Sequence, residues 1–207
     1  MKLYSNPFSP NARRAALVAK HLGLAVETVT LDFGKGELRK PEFLALNPNG
    51  RVPVLVDGDF VLTESRAIMQ YLASKKPEAG LLPSDERGRA DVTRWQLWDA
   101  EHFAAATNTI VFEKMLKPMM GLGETSAAAV TDALGRFERA AKVLDAHLKG
   151  RDWIVGRSLT IADYTLGCAL MYAGPCELSL DPYPNIKAWM GRIRELDAWR
   201  QTEPKMG

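Results

Sequence analysis

Val52-Pro53-Val54-Leu55-Val56-Asp57-Gly58-Asp59-Phe60-Val61-Leu62 is the stretch that decides the fold. Two apolar, β-branched runs, Val52 to Val56 and Phe60 to Leu62, flank Asp57-Gly58, and that pairing is the strongest short-range signal for a β-hairpin. Upstream, Lys2 to Ser5 reads as a strand stopped by Pro7 and Pro10. A helix follows from Pro10 to Leu22, opened by Ser9 as N-cap and ended by Gly23. Val26 to Leu31 alternates and is β-branched, which predicts a second strand parallel to the first across the helix. A polar segment, Asp32 to Lys40, leads into a short helix over Pro41 to Leu46, and Glu64 to Ser74 closes the unit as a helix. Strand, helix, strand, hairpin, helix describes a small α/β domain with a mixed sheet.

Pro77 to Gly88 is polar and turn-rich, a linker. Everything beyond it is helical in pattern: a long helix from Asp91 to Lys117, then Val130, Leu134, Phe137, Ala141, Leu144 and Leu148 as one apolar stripe, then Ile186, Trp189, Ile193 and Leu196. Thr160-Ile161-Ala162-Asp163 has the spacing of a capping box, with Asp standing where Glu or Gln is usual. The expected organisation is an α/β domain over 1–76, a linker over 77–88 and an all-helical domain over 89–207.

Composition narrows the function. With 27 Lys+Arg against 25 Asp+Glu, interspersed, the net charge of +2 leaves no basic footprint for nucleic acid. No apolar run approaches the ~20 residues of a membrane span, and Asn6 and Pro7 interrupt any early signal-like segment. A cytoplasmic protein is expected, without membrane or nucleic-acid partners. Cys168 and Cys176 form no CxxC and read as buried small hydrophobes. His21, His102 and His147 lack metal-ligand spacing, so no metal is expected. Gly121-Leu122-Gly123 lacks the preceding strand and third glycine of a dinucleotide loop.

Several segments carry a family resemblance. Asn47-Pro48-Asn49-Gly50-Arg51-Val52-Pro53, followed by Thr63-Glu64-Ser65-Arg66-Ala67-Ile68, resembles the glutathione-site signature of cytosolic glutathione transferases. Leu159 to Asp163 is similar to that family's N-capping motif. Pro7-Phe8-Ser9 with Arg13-Arg14, and Val111 to Lys114 with Pro118, look most like its serine-type phi branch. The resemblance runs over nearly the whole chain, in order. It implies a thioredoxin-like N-terminal domain, an all-α C-terminal domain, a homodimer, glutathione as co-substrate with no permanently bound cofactor, and a small hydrophobic electrophile as second substrate.

Site residues follow from the resemblance, each beside a plainer reading. Ser9 alone is an ordinary N-cap; by resemblance its hydroxyl donates to the glutathione sulfur, with Asn11 and Ser5 as lesser candidates. A free thiol titrates near 8.5, so a thiolate at neutral pH needs such help. Pro53 alone opens an edge strand; the family's proline is cis and presents the backbone of Val52 to the cysteinyl part of glutathione. Glu64 and Ser65 alone form a helix start with an acid; by resemblance they receive the γ-glutamyl ammonium and carboxylate, and Arg66 braces the turn. Arg39 and Lys40 match a basic pair that binds the glycyl carboxylate. Leu38 and Arg51 replace a common histidine and glutamine, and Arg51 is a second candidate for that carboxylate. For the electrophile, expected between the domains, the candidates are Phe8, Pro10, Phe112, Met115 and Tyr172, although aromatic and Met residues at helical spacing are more often core.

The leading expectation is an enzyme that ionises glutathione and conjugates it to an electrophilic carbon. A glutathione-dependent peroxidase or dehalogenase would use the same thiolate, and a non-catalytic binding or assembly protein would keep only the fold.

Overall fold

The structure, a computed structural model, describes residues 1–204. The chain forms two units: Met1–Leu82 together with the described residues from Arg194 onward, and Pro83–Ile193.

The first unit runs β1 (Lys2–Ser5), α1 (Pro10–His21), β2 (Glu27–Thr30), a 3-10 turn (Glu37–Arg39), α2 (Pro41–Leu46), β3 (Val54–Asp57), β4 (Phe60–Thr63) and α3 (Ser65–Ser74). The sheet order is β2-β1-β3-β4, with β1 and β2 parallel and both other pairs antiparallel. This is the thioredoxin-like arrangement expected of a strand–helix–strand unit followed by a hairpin. The hairpin loop is Gly58-Asp59, one residue later than the sequence suggests, because Asp57 still pairs with Phe60 in the ladder. Apolar faces of α1 and α3 supply Leu17, Val18, Ile68, Met69 and Leu72 to the core beside Leu3, Val54 and Leu55. Helix α1 ends in a Schellman arrangement: Gly23 sits at φ +57, its N–H reaches Lys20 O, and the Leu24 N–H reaches Ala19 O.

The helix α10 (Asp197–Gln201) belongs to this unit, although the sequence reading grouped it with the helical region. Arg13 explains the difference. Its buried guanidinium stacks 3.9 Å over the Trp199 ring and donates to the Trp199 carbonyl at 2.9 Å.

The second unit is helical. Helix α4 (Glu86–Trp98), a π turn (Asp99–Phe103), α5 (Ala104–Val111), a second π turn (Phe112–Leu116) and α6 (Lys117–Met119) follow one another without a break. The N–H groups of Ala104 and Lys117 reach back five residues, to Asp99 O and Phe112 O. Both wide turns carry a buried acid, Asp99 and Glu113. Then come α7 (Ala127–Leu148), α8 (Ile161–Ala169) and α9 (Pro184–Glu195), which ends in the first unit's segment. The buried stripe of α7 is Ala133, Phe137, Ala140, Ala141, Leu144 and Leu148. Leu134, expected in that stripe, is exposed, one position off the face that Ala133 occupies. Cys168 and Cys176 are buried thiols not joined in a disulfide. Among the described residues no helix is long and apolar enough to cross a membrane.

Candidate functional site

Register alone gathers the candidate residues of the first unit. Tyr4, Val54 and Thr63 form one row across β1, β3 and β4. One step beyond that row β1 runs out toward Ser9, β3 is entered from Val52-Pro53, and β4 runs out into Glu64-Ser65. Because β2 is parallel to β1, its exit toward Arg39 and Lys40 lies at the same end. Ligands in open α/β sheets bind at such an end, where chain turns leave backbone groups available.

Ser9 caps α1. Its backbone is extended (φ −86, ψ 118), and its hydroxyl oxygen accepts the Ala12 N–H at 3.3 Å. A serine hydroxyl has two acceptor sites and one proton, so this bond leaves the proton for donation elsewhere. The first turn of α1 contains no acid. Asn6 fixes the approach: its amide donates to Leu31 O at 2.8 Å, its Oδ1 accepts the Phe8 N–H at 2.9 Å, and its carbonyl accepts the Ser9 N–H at 3.0 Å. The sequence reading gave Asn6 no role. Its signal was the Asn-Pro pair ahead of a helix, where a side-chain turn is common.

Val52-Pro53 is a cis peptide. Both residues are buried, and ladder pairing begins only at Val54. Val52 packs with Ala12, Phe43 and Val54, with Tyr4, Leu31, Leu38 and Leu46 at the margin, so the entry to β3 rests on α1 and α2. The preceding loop hangs on Asn47, buried, whose amide donates to Arg51 O at 2.7 Å while its Oδ1 accepts the Asn49 N–H at 3.1 Å. Asn47, part of the quoted motif, also went without a role in the sequence reading.

Glu64 takes φ +66, ψ 113, a conformation strained for any residue with a Cβ. The carboxylate of Glu64 makes no capping bond to α3, and the first turn of α3 contains no acid. Ser65 is its first helical residue and is buried. Lys40 pairs with Glu37 at 3.3 Å, and Glu37 also accepts the Asp32 N–H at 2.7 Å. These bonds, the Asp32 N–H first, hold the Glu37 carboxyl below its ordinary range. Arg39 and Arg51 are exposed, as is Phe8, while Pro10 and Met115 are half-buried. Phe112 is 41% exposed and Tyr172 only 6%, so the Tyr172 ring is largely core. Among the described residues no cluster of His, Cys, Asp or Glu has the geometry to hold a metal ion.

Comparison with known proteins places the fold. Residues 1–74 match the glutathione S-transferase N-terminal domain and residues 102–197 the glutathione S-transferase C-terminal domain. The chain is 37% identical to glutathione S-transferase 3 of Zea mays, over 98% of this chain and 92% of that one. It is 35% identical to the probable glutathione S-transferase GSTF2 of Oryza sativa subsp. japonica, over 91% and 89%. Among solved structures, glutathione S-transferase I from mais in complex with an atrazine glutathione conjugate has a TM-score of 0.87 at 34% identity, covering 98% of this chain and 95% of that one. With both domain models matched in order and identity sustained over nearly all of its length, the chain belongs to the glutathione S-transferase family of enzymes, on its phi-like branch.

Proposed function

We propose that the protein binds glutathione at the shared sheet end, holds its sulfur as a thiolate with Ser9, and adds that sulfur to a small hydrophobic electrophile. The observation that carries this reading is the Ser9 hydroxyl: it takes its helix bond as an acceptor, so its proton is left for the sulfur. Lowering a thiol pKa by ~2 units requires about 2.7 kcal/mol of preference for the anion. A hydrogen bond to a charged acceptor contributes roughly 1.5–3 kcal/mol, and a helix N-terminus about 0.3–1 kcal/mol. Together they supply about 1.8–4 kcal/mol, a range that brackets the need, and no general base beside Ser9 is required. The thiol proton leaves to solvent, the sulfur lone pair forms the new bond to carbon, and the electron pair displaced at that carbon departs with the leaving group or, in an addition, moves to the neighbouring atom and takes up a proton from solvent.

Around this centre, Val52 contributes its backbone next to Pro53, Ser65 receives the γ-glutamyl carboxylate, and Glu64 faces the ammonium. Arg39 and Arg51 are the free cations for the glycyl end, with Lys40 already engaged by Glu37. Phe8, Pro10, Phe112, Met115 and Tyr172 are the candidates for contact with the electrophile. The maize relative's atrazine conjugate supports an electrophile of small, apolar, aromatic type. A homodimer belongs to the same reading, supported by the exposed apolar side chains Phe60, Val61, Leu97 and Val143. So does a detoxifying role in the cytoplasm, which the family resemblance alone supports.

The deciding experiment is an ultraviolet difference titration of bound glutathione against pH, with binding checked by calorimetry. A thiolate signal well below the pH at which free glutathione ionises is the expected result. Binding without that signal would leave a glutathione-binding protein that lacks the chemistry.

A further inference from the structure

Resting on the conjugation reading above, we propose that Lys114 is a positioning residue that sets which electrophiles the protein accepts. It does so by holding the element that bears Phe112 and Met115 to the element that bears Tyr172. The Lys114 ammonium donates to the Cys176 carbonyl at 2.7 Å and lies 3.4 Å from the Glu177 carboxylate. Phe112, Lys114 and Met115 share one wide turn, Phe112–Leu116. Tyr172 and Cys176 share the run of turns that prolongs α8 from Leu170 to Glu177. One side chain thus joins two segments of the second unit that lie 62 positions apart in sequence.

The join falls where the later segment needs a partner. That segment closes as a Schellman end: the Leu178 N–H reaches Ala173 O at 2.8 Å, and the Glu177 N–H reaches Gly174 O at 2.9 Å. Glu177 stands at φ +53, in the position glycine usually takes. This closure satisfies the carbonyls of Ala173 and Gly174 and leaves that of Cys176 over, and a lysine ammonium is the partner such an end favours. The wide turn is pinned from its other neighbour as well. The Glu113 carboxylate accepts the Ser126 N–H at 2.7 Å, and its carbonyl accepts the Thr125 hydroxyl at 2.8 Å. Glu113 therefore fixes the turn to the start of α7, and Lys114, the next residue, fixes the Tyr172 segment to the turn. The wide turn breaks the regular helical ladder and the Leu170–Glu177 run lacks a continuous one, so tertiary bonds set the spacing between them. The consequence is selectivity by size: with the tie in place the spacing suits a narrow electrophile, and without it a broader one enters more easily.

The test is steady-state kinetics on purified protein with glutathione and two electrophiles, chlorodinitrobenzene and its two-ring counterpart chlorodinitronaphthalene. The quantity read is the preference for the one-ring compound, the ratio of the two kcat/KM values. Lys114→Met is expected to lower that preference about five- to tenfold, with KM for glutathione unchanged. Lys114→Gln, shorter and uncharged, is expected to do the same, so the result does not hang on one substitution. Lys114→Arg keeps a cationic donor and is expected to restore most of the preference. Glu177→Gly removes the solvent-exposed carboxylate but keeps the left-handed turn, and is expected to leave the preference as it was, because the carbonyl bond carries the tie. A preference that holds in Lys114→Met and Lys114→Gln while urea denaturation shows lost stability would make Lys114 a structural tie and overturn the proposal. So would an equal change in KM for glutathione, no recovery in Lys114→Arg, or a Glu177→Gly effect as large as that of Lys114→Met. Any of these in a wild type that conjugates glutathione overturns this inference alone. A wild type that conjugates neither electrophile overturns it together with the reading on which it rests.

Discussion

In the second unit α8 begins beneath Thr160, and Asp163 answers four donors around it. Its two oxygens accept the N–H groups of Ile154 and Thr160, the Thr160 hydroxyl and the Trp189 indole N–H, all between 2.8 and 3.1 Å. Helix α7 is closed similarly, with Ser126 as cap and Glu113 on the Ser126 N–H. In the first unit α1 begins under a single 3.3 Å bond from Ser9, and α3 begins under a strained Glu64 with no capping bond at all. Neither has an acid in its first turn. A helix start carries orphan N–H groups and a partial positive charge. Where a carboxylate of the chain is bonded to the helix start, as Asp163 and Glu113 are, the end is structural. Where none is bonded to it, as at α1 and at α3 with its unbonded Glu64, the end is open to a ligand's carboxylate or thiolate.

Removing the supplied anion tests the closed side of this contrast, with the largest effect expected. Asp163→Ala strands four buried donors and is expected to lower stability by about 4 kcal/mol in urea denaturation, with kcat per folded molecule unchanged. Loss of turnover in a protein of undiminished stability would contradict the division. On the open side, Ser9→Ala is expected to raise the pKa of the bound thiol by about 1–2 units and to lower kcat about 10–100-fold at neutral pH. As a helix cap the same change is expected to cost only about 1 kcal/mol of stability. Stability loss with no shift in the thiol titration would make Ser9 a cap and nothing more.

Legibility in the sequence divides along the same line. The Thr160–Asp163 box is readable because capping is a local pattern of three residues, and β1, α1, α2 and the hairpin are readable for a similar reason. Contacts between residues far apart in sequence are not. Nothing in the order of residues says that Arg13 grips Trp199, 186 positions later, and so draws the last helix to the first unit. Nor does it say that Arg39 fills the space above Gly50, a fact that depends on how α2 turns the chain back. The π turns at Asp99 and Phe112 were invisible because a wide turn keeps nearly the same apolar spacing as the helix around it. Ser9, Val52, Glu64 and Ser65 came from resemblance, and only the strand register explains why such distant residues meet.

Glu64 sharpens the comparison at an intermediate scale. Its φ of +66 with ψ of 113 lies where only glycine is at ease, at a cost of about 1–3 kcal/mol. Glu64→Gly removes that strain and adds back roughly 0.5–1 kcal/mol of chain entropy cost. The melting temperature is therefore expected to hold or rise by a few degrees while glutathione affinity, read by calorimetry, falls. Such a trade marks backbone strain kept for binding. A variant that melts lower and binds as before would remove Glu64 from the site.

The smallest expected effect separates the two closed helix ends by pH. The Ser126 N–H, then the Lys117 ammonium, hold the Glu113 carboxyl below its ordinary value. A carboxyl with a folded pKa below its unfolded one contributes stability that is complete above the ordinary value, near 4.5, and is lost as pH falls through the folded value. Burial pushes the Asp163 carboxyl the other way, outweighing the four hydrogen bonds that pull it down. Its linkage therefore has the opposite sign: its contribution is fullest below the unfolded value and declines as pH rises through the folded one. On acidification below about pH 4.5, amide hydrogen exchange at Ser126 and the first turn of α7 is expected to accelerate before exchange at Ile154 and Thr160. Glu113→Gln should make the start of α7 exchange fast at every pH while leaving the start of α8 unchanged. Simultaneous opening of both ends in the wild type would show that they melt as one cooperative unit, each cap secondary to the packing of the whole.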